Sequence, residues 1–305
     1  MEPLDEGRGR LGRVDLHVHS LASDGWLAPV EVVALAARRG VKVMALTDHD
    51  TTLGIPTAML AGQEWGVQLI PGIEMTVEEG EELHILGYFI DIDYPPLQET
   101  LARLRRLRSQ RARQMLGRLA ELGISLDWAG VSRLTWDSIG RPHIARTMVA
   151  GGYISHPREA FDLYLDPGRP AYVAVPRPSA RETLGLIRSA GGVPVLAHPV
   201  IPGRDDPLER TAQIAAMLPN LKEEGLLGLE CYYPEYTADT VRELVALAEL
   251  HGLIATGGSD YHGPYSRADG PGGVVVPSGS VDGLQAAVRF LEGAARVKTG
   301  GGRWS

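Results

Sequence analysis

Seven of the nine histidines in this 305-residue chain stand in short motifs beside carboxylates, glycines or prolines, and those motifs define the chemistry available to it. In Asp15-Leu16-His17-Val18-His19 the two imidazoles are two residues apart, so on an extended strand both point to one face and can share a metal ion. Asp24 follows in a Ser-Asp-Gly turn, and Thr47-Asp48-His49-Asp50 brings a further imidazole between carboxylates. Glu74, in Pro-Gly-Ile-Glu, comes after an apolar run, where an unpaired carboxylate is costly and a metal would neutralise it. His84 opens His-Ile-Leu-Gly-Tyr, and His143, His198, Asp260 and His262 complete the set in Arg-Pro-His, Ala-His-Pro and Ser-Asp-Tyr-His-Gly. His156 and His251 lack such company and read as surface or capping residues, His251 in a last helical turn before Gly252.

These residues need a frame that gathers strand ends. The first ninety residues alternate short apolar runs with helical patterns, as strand and helix units around a parallel sheet do. Strands are expected at Val14 to Val18, Val41 to Leu46, Val67 to Ile70 and Leu83 to Ile90, with a helix from Pro29 to Arg39 closed by Gly40. From Pro95 to about Leu165 the pattern becomes helical, and alternation resumes at Val193 to Ala197, Leu226 to Glu230 and Leu253 to Thr256, with a final helix from Asp282 to Glu292. The expected organisation is a barrel from 13–94 and 170–292, a helical insert at 95–169 carrying one metal ligand, and tails at 1–12 and 293–305, the last residues frayed.

Composition narrows the function. A lone cysteine, Cys231, excludes disulfides and thiolate clusters, so imidazoles and carboxylates must hold any metal. The net charge of -8 argues against a broad nucleic-acid grip. No apolar run is long enough to span a bilayer and the N-terminus lacks a signal-peptide core, so the expected location is the cytoplasm. Nothing marks a stable protein partner. The arginine-rich stretch from Leu101 to Arg118 reads as a solvated helix face.

In order along the chain, DLHVHS, SDG, TDHD, GIE, HILGY, RPHIAR, AHP and GSDYHG closely resemble the PHP (polymerase and histidinol phosphatase) family, over about residues 13 to 263. The closest likeness is to its small stand-alone phosphoesterases, which include 3',5'-nucleoside bisphosphate phosphatases and a 5'-to-3' exoribonuclease acting on short RNA; EAFDLYL and GRPAYV fit that branch too. The resemblance implies an α/β fold, a distorted (β/α)7 barrel, with three divalent ions, usually manganese, zinc or iron. It assigns His17, His19, Glu74 and Asp260 to one ion, with Glu74 bridging to a second held also by His84 and His143. Asp24, His49 and His262 would hold the third. By the same resemblance His198 faces the site, as a ligand, a phosphate contact or a proton donor to the leaving group.

Three divalent ions against three ligand carboxylates leave a positive centre in an acidic protein, which suits a phosphate ester. Asp48 is expected to fix a metal-bound imidazole. Arg141, Arg146 and Arg177 are the candidates to grip a second phosphate. The implied reaction removes the 3'-phosphate of nucleoside 3',5'-bisphosphates, with exonuclease action on short RNA, or action as another small-molecule phosphatase, as the alternative. An amidohydrolase would commonly bridge two metals with a carbamylated lysine, and Lys42, Lys222 and Lys298 are poorly placed for that. A non-catalytic metal-binding module is a further rival, against which the full ligand set argues.

Overall fold

A computed structural model describes residues 13–79, 81–203 and 205–299. Seven strands form one sheet in the order β1-β2-β3-β4-β5-β6-β7. They are β1 (Arg13–Asp15), β2 (Val41–Leu46), β3 (Gln68–Glu78), β4 (Glu82–Tyr88), β5 (Val193–Leu196), β6 (Gly228–Tyr232) and β7 (Ile254–Gly257). Beyond the regular strands the two edges meet: Leu16 N donates to Gly257 O, Asp260 N to His17 O and His19 N to Tyr261 O, at 2.8–3.2 Å. These bonds close the sheet into a distorted barrel.

The sheet is mixed and not parallel throughout. β4 runs antiparallel to both β3 and β5, while the other neighbours are parallel. The physical reason is connection length, since β3 and β4 are separated only by residues 79–81 and a parallel return needs a crossover of a dozen or more residues. β3 also runs longer than expected. Up to Pro71 it pairs with β2 and from Gly72 with β4, while the chain past β2 bridges to it again at His49–Glu74, so Glu74 lies inside a strand held on both edges.

Both faces of the sheet are buried, which is why its strands read as continuous apolar runs. On β2, Val43 and Ala45 face a core closed by Leu284, while Met44 and Leu46 face Val32, Val33, Ile55 and Ala58. Val32 and Val33 belong to α1 (Pro29–Arg38), Ile55 and Ala58 to α2 (Ile55–Trp65), and Leu284 to α10 (Gly279–Thr299). The opposite side of the barrel is covered by α7 (Ala180–Ser189), α8 (Pro207–Glu223) and α9 (Ala238–His251). The last helix is longer at both ends than its sequence pattern suggested; the tail residues 1–12 and 300–305 lie outside the described ones.

Residues 95–169 are helical, with α3 (Pro95–Glu121), α4 (Trp128–Ser132), α5 (Arg141–Ala150), α6 (Pro157–Ala160) and a π-helical turn at Phe161–Leu165. α3 is shared between two cores. Its first half sets Leu97, Leu101 and Leu104 against the barrel, and its second half sets Ala112, Met115, Leu116 and Leu119 against Ile144, Ala145 and Met148 of α5. Its arginines are therefore not simply a solvated face: Arg111 is buried and Arg108 nearly so. His156 caps α6, accepting from Arg158 N at 3.1 Å, and His251 sits in the last turn of α9 before left-handed Gly252.

Candidate metal centre

The chain past β1 carries His17 and His19 to the barrel mouth, where the continuation of β7 brings Asp260. Five of the six separations among His17 Nε2, His19 Nε2, Glu74 Oε2 and Asp260 Oδ1 lie between 3.1 and 3.3 Å. Tetrahedral ligands about 2.0 Å from a shared ion are about 3.3 Å apart, so these four atoms have the spacing of a metal site. Glu74 Oε2 and Asp260 Oδ1 are buried with no hydrogen-bond partner among the described residues, the condition a cation would relieve.

Glu74 has two faces. Its other oxygen, Oε1, stands 2.7 Å from His84 Nδ1 and 3.0 Å from His198 Nε2. The antiparallel register makes this possible by setting Thr76 opposite His84, which leaves Glu74 and His84 a residue pair apart on adjoining strands. A third group joins Asp24 Oδ1 to His262 Nε2 at 3.2 Å, with His49 Nε2 at 3.8 Å from Asp24 Oδ2. His49 lies between groups, because its Nδ1 is 3.2 Å from Glu74 Oε2.

Burial opposes ionisation of Glu74, but His49, His84 and His17 hold its carboxyl well below the usual carboxylate range. Burial likewise works against Asp24, which His262 and His49 push far down, and against Asp260, lowered by His17 and His262. Two of the clustered residues adopt the left-handed region, His198 at φ 22 and Asp260 at φ 48, and Asp50 beside His49 is at φ 52. Such backbone is held only where its surroundings demand it.

Supporting residues fix the cluster. Asp48 has a different task from the expected one: it touches no imidazole and accepts from Ser20 N at 2.8 Å, Ser20 Oγ at 2.6 Å and Ser23 Oγ at 2.6 Å. It thereby pins the turn that presents Asp24. Gly25 closes that turn where a Cβ would sit 2.7 Å from His19 O. The carboxylate that orients an imidazole is Glu230 of β6, 3.1 and 3.2 Å from His17 Nδ1 and also accepting from His198 N at 2.7 Å. Sequence reasoning passed over Glu230, though a charged residue inside the buried run Gly-Leu-Glu-Cys was the available signal. Tyr233 donates to Asp260 Oδ2 at 2.7 Å, leaving Oδ1 for the cluster.

His143 is not brought into the cluster. Its Nε2 is 2.9 Å from Ser23 O, while its Nδ1 accepts from Gly140 N at 2.9 Å, so both ring nitrogens are engaged by backbone. It opens α5 and ties that helix to the Asp24 turn. Of the arginines, Arg141 and Arg177 line a cleft of about 110 Å³ together with His49, His84, Arg108 and Arg111. Both already hold Glu82, Arg141 through Nη2 at 3.3 Å and Arg177 through Nη1 at 2.5 Å. Arg146 is absent from the lining. Its guanidinium lies 3.9 Å from the Trp26 ring centre, and Nη1 donates to Gly25 O at 3.2 Å. A wider cleft of about 430 Å³ opens on the far side of Glu82, beside His84 and His198.

A mixed barrel with clustered imidazoles and carboxylates at its mouth is the architecture of a metal-dependent phosphoesterase, and the comparisons agree. The PHP domain model matches residues 15–127. The 3',5'-nucleoside bisphosphate phosphatase of Chromobacterium violaceum is 38% identical over 259 residues, covering 83% of this chain and 88% of that protein. A 5'-3' exoribonuclease of Haemophilus influenzae is 34% identical, covering 83% of this chain and 90% of that protein. A solved structure described as a metal-dependent phosphoesterase from Bifidobacterium adolescentis superposes with a TM-score of 0.80 at 29% identity, over 92% of this chain and 97% of that one. The chain belongs to the PHP family of phosphoesterases. No helix among the described residues is long and apolar enough to cross a membrane.

Proposed function

We propose that this chain removes the 3'-phosphate from nucleoside 3',5'-bisphosphates, giving nucleoside 5'-monophosphates. The observation that carries the reading is the cleft of about 110 Å³ in which His49 and His84 of the metal centre face four arginines. One anionic group then lies at the metals while a second lies among guanidinium groups, whose planar forks match phosphate oxygens. The relative from C. violaceum carries the same activity in its name.

Three sets of residues would hold divalent manganese, zinc or iron: His17, His19, Glu74 and Asp260; Glu74, His84 and His198; and Asp24, His49 and His262. His198 takes the second set in preference to His143, because its Nε2 reaches Glu74 Oε1 and both nitrogens of His143 are spent on backbone. Divalent ions held by these residues would activate water near neutral pH and offset the charge of the phosphoryl oxygens. The protein's own part is positioning. Glu230 fixes His17 and His198, Tyr233 orients Asp260, and Asp48 holds the turn of Asp24. A cytoplasmic location fits a nucleotide substrate.

The wider cleft beyond Glu82 favours a second reading, 5'-3' exonuclease action on short RNA, since it has room for further nucleotides next to His84 and His198. The deciding measurement is kcat/KM for adenosine 3',5'-bisphosphate against a 5'-phosphorylated short oligoribonucleotide, after loading with manganese, iron and zinc separately. Higher values for the bisphosphate uphold the first reading, and a clear preference for the oligonucleotide replaces it with the second.

A further inference from the structure

Four arginines line the smaller cleft, and three of them are matched by carboxylates. Arg108 Nε donates to Asp50 Oδ2 at 2.5 Å, Arg177 holds Glu82, and Arg141 holds both Glu82 and Asp166, the latter at 3.0 Å. Among the described residues Arg111 has no carboxylate within ion-pair distance, and Glu82 acts on it only from farther away. It is 9% exposed, its Nε donates to Val173 O at 2.7 Å, and its guanidinium lies 5.3 Å from the centre of the Tyr172 ring. Its Nη2 is buried and has no hydrogen-bond partner among the described residues. A buried guanidinium with no carboxylate in direct contact is a costly arrangement unless an anion completes it.

We propose that Arg111 of α3 is the floor of an anion subsite that takes the terminal phosphate not being hydrolysed. The proposal rests on the bisphosphatase reading and assigns its second phosphate to Arg111 of α3. Two restraints pre-set the group before the ligand arrives, since the Val173 carbonyl fixes Nε and the Tyr172 ring supports the plane. Little side-chain freedom is then left to lose on binding. Arg111 remains protonated at neutral pH, although burial, followed by Arg141 and Arg177, lowers its pKa to about 10.

Shape makes the subsite an end-reader. Leu104, Leu107, Pro142, Phe161 and Val175 contribute apolar wall, and the volume of about 110 Å³ is well under the roughly 300 Å³ at which pockets begin to hold whole small molecules. A phosphate fits there and a further nucleoside does not. Arg141 and Arg177 stand on the Glu82 side, where the carboxylate already occupies them, so the free binding capacity of the cleft lies with Arg111.

The test compares wild type and Arg111→Met for binding of adenosine 5'-monophosphate and of adenosine to metal-free protein. Wild type is expected to prefer the monophosphate, and losing a charge-assisted contact should erase about tenfold to a hundredfold of that preference. Adenosine binding should stay unchanged. In metal-loaded enzyme, kcat/KM for the bisphosphate should fall by a similar factor while that for a nucleoside 3'-monophosphate holds. Equal losses for adenosine and the monophosphate, or none for either, overturn the proposal. Should the wild type release no phosphate from bisphosphates, the functional reading fails while the binding comparison still judges the subsite. If Arg111→Met does not fold, Arg111→Lys takes its place, keeping the charge without the fork and losing most of the preference.

Discussion

Glu230 and His17 form a buried pair in which the carboxylate oxygens of one lie 3.1 and 3.2 Å from Nδ1 of the other, although 213 residues separate them. The contact leaves Nε2 of His17 as the nitrogen facing Glu74 and Asp260. Glu230→Gln should weaken metal affinity about tenfold to a hundredfold, the usual loss for a partner that orients a metal-bound histidine. Metal titration followed by elemental analysis measures it. An unchanged affinity would remove Glu230 from this role.

Glu74→Gln preserves shape but removes the charge shared by two ligand groups. Occupancy should drop by more than one ion, and turnover should fall beyond the ~100-fold characteristic of outer partners. Metal content and phosphate release on the same sample decide the matter; near-normal turnover would mean the groups do not share Glu74.

Arg146→Ala should act on stability and not on substrate. Its guanidinium stacks on Trp26 and braces Gly25, so the variant should lose about 0.5–2 kcal/mol in urea unfolding. The ratio of KM values for a bisphosphate and a simple aryl phosphate should stay as in wild type. A selective rise in KM for the bisphosphate would return Arg146 to the substrate.

Metal binding should expel protons. In the metal-free fold burial opposes protonation of His84 and His262, but Glu74 and Glu82 raise the first to about 9, and Asp24 and Asp260 raise the second to about 10. Both are therefore imidazolium at pH 7, and an ion needs the neutral ring. Affinity should climb from pH 6 to pH 8, with proton release visible by calorimetry in buffers of different ionisation heat. A pH-independent affinity without proton release would contradict it.

Motif spacing made the clustered imidazoles and carboxylates legible because a metal site would need several rare residue types at strand ends. His17, His19, Asp24, His49, Glu74, His84, Asp260 and His262 all come together, and each is visible in a short local pattern. What spacing does not carry is which nitrogen of which ring faces inward. His143 sits in as good a motif as His198, yet a helix start turns its ring to backbone while the β5 end turns the other to Glu74. The arginines show the same limit, since Arg146 and Arg111 differ in what their flat groups rest on. β4 was legible as a strand but its direction was not, because direction follows from the short link to β3 and from no residue of β4 itself.

The backbone bonds that join His17 and His19 to Asp260 and Tyr261 set a timetable for the growing polypeptide. His17 and His19 are made before Asp260 and His262, and the seam that seats the four together can form only after every residue between them has been added. A nascent chain therefore cannot assemble the full cluster until that seam forms, and a stop before Asp260 removes a carboxylate and an imidazole of the cluster together.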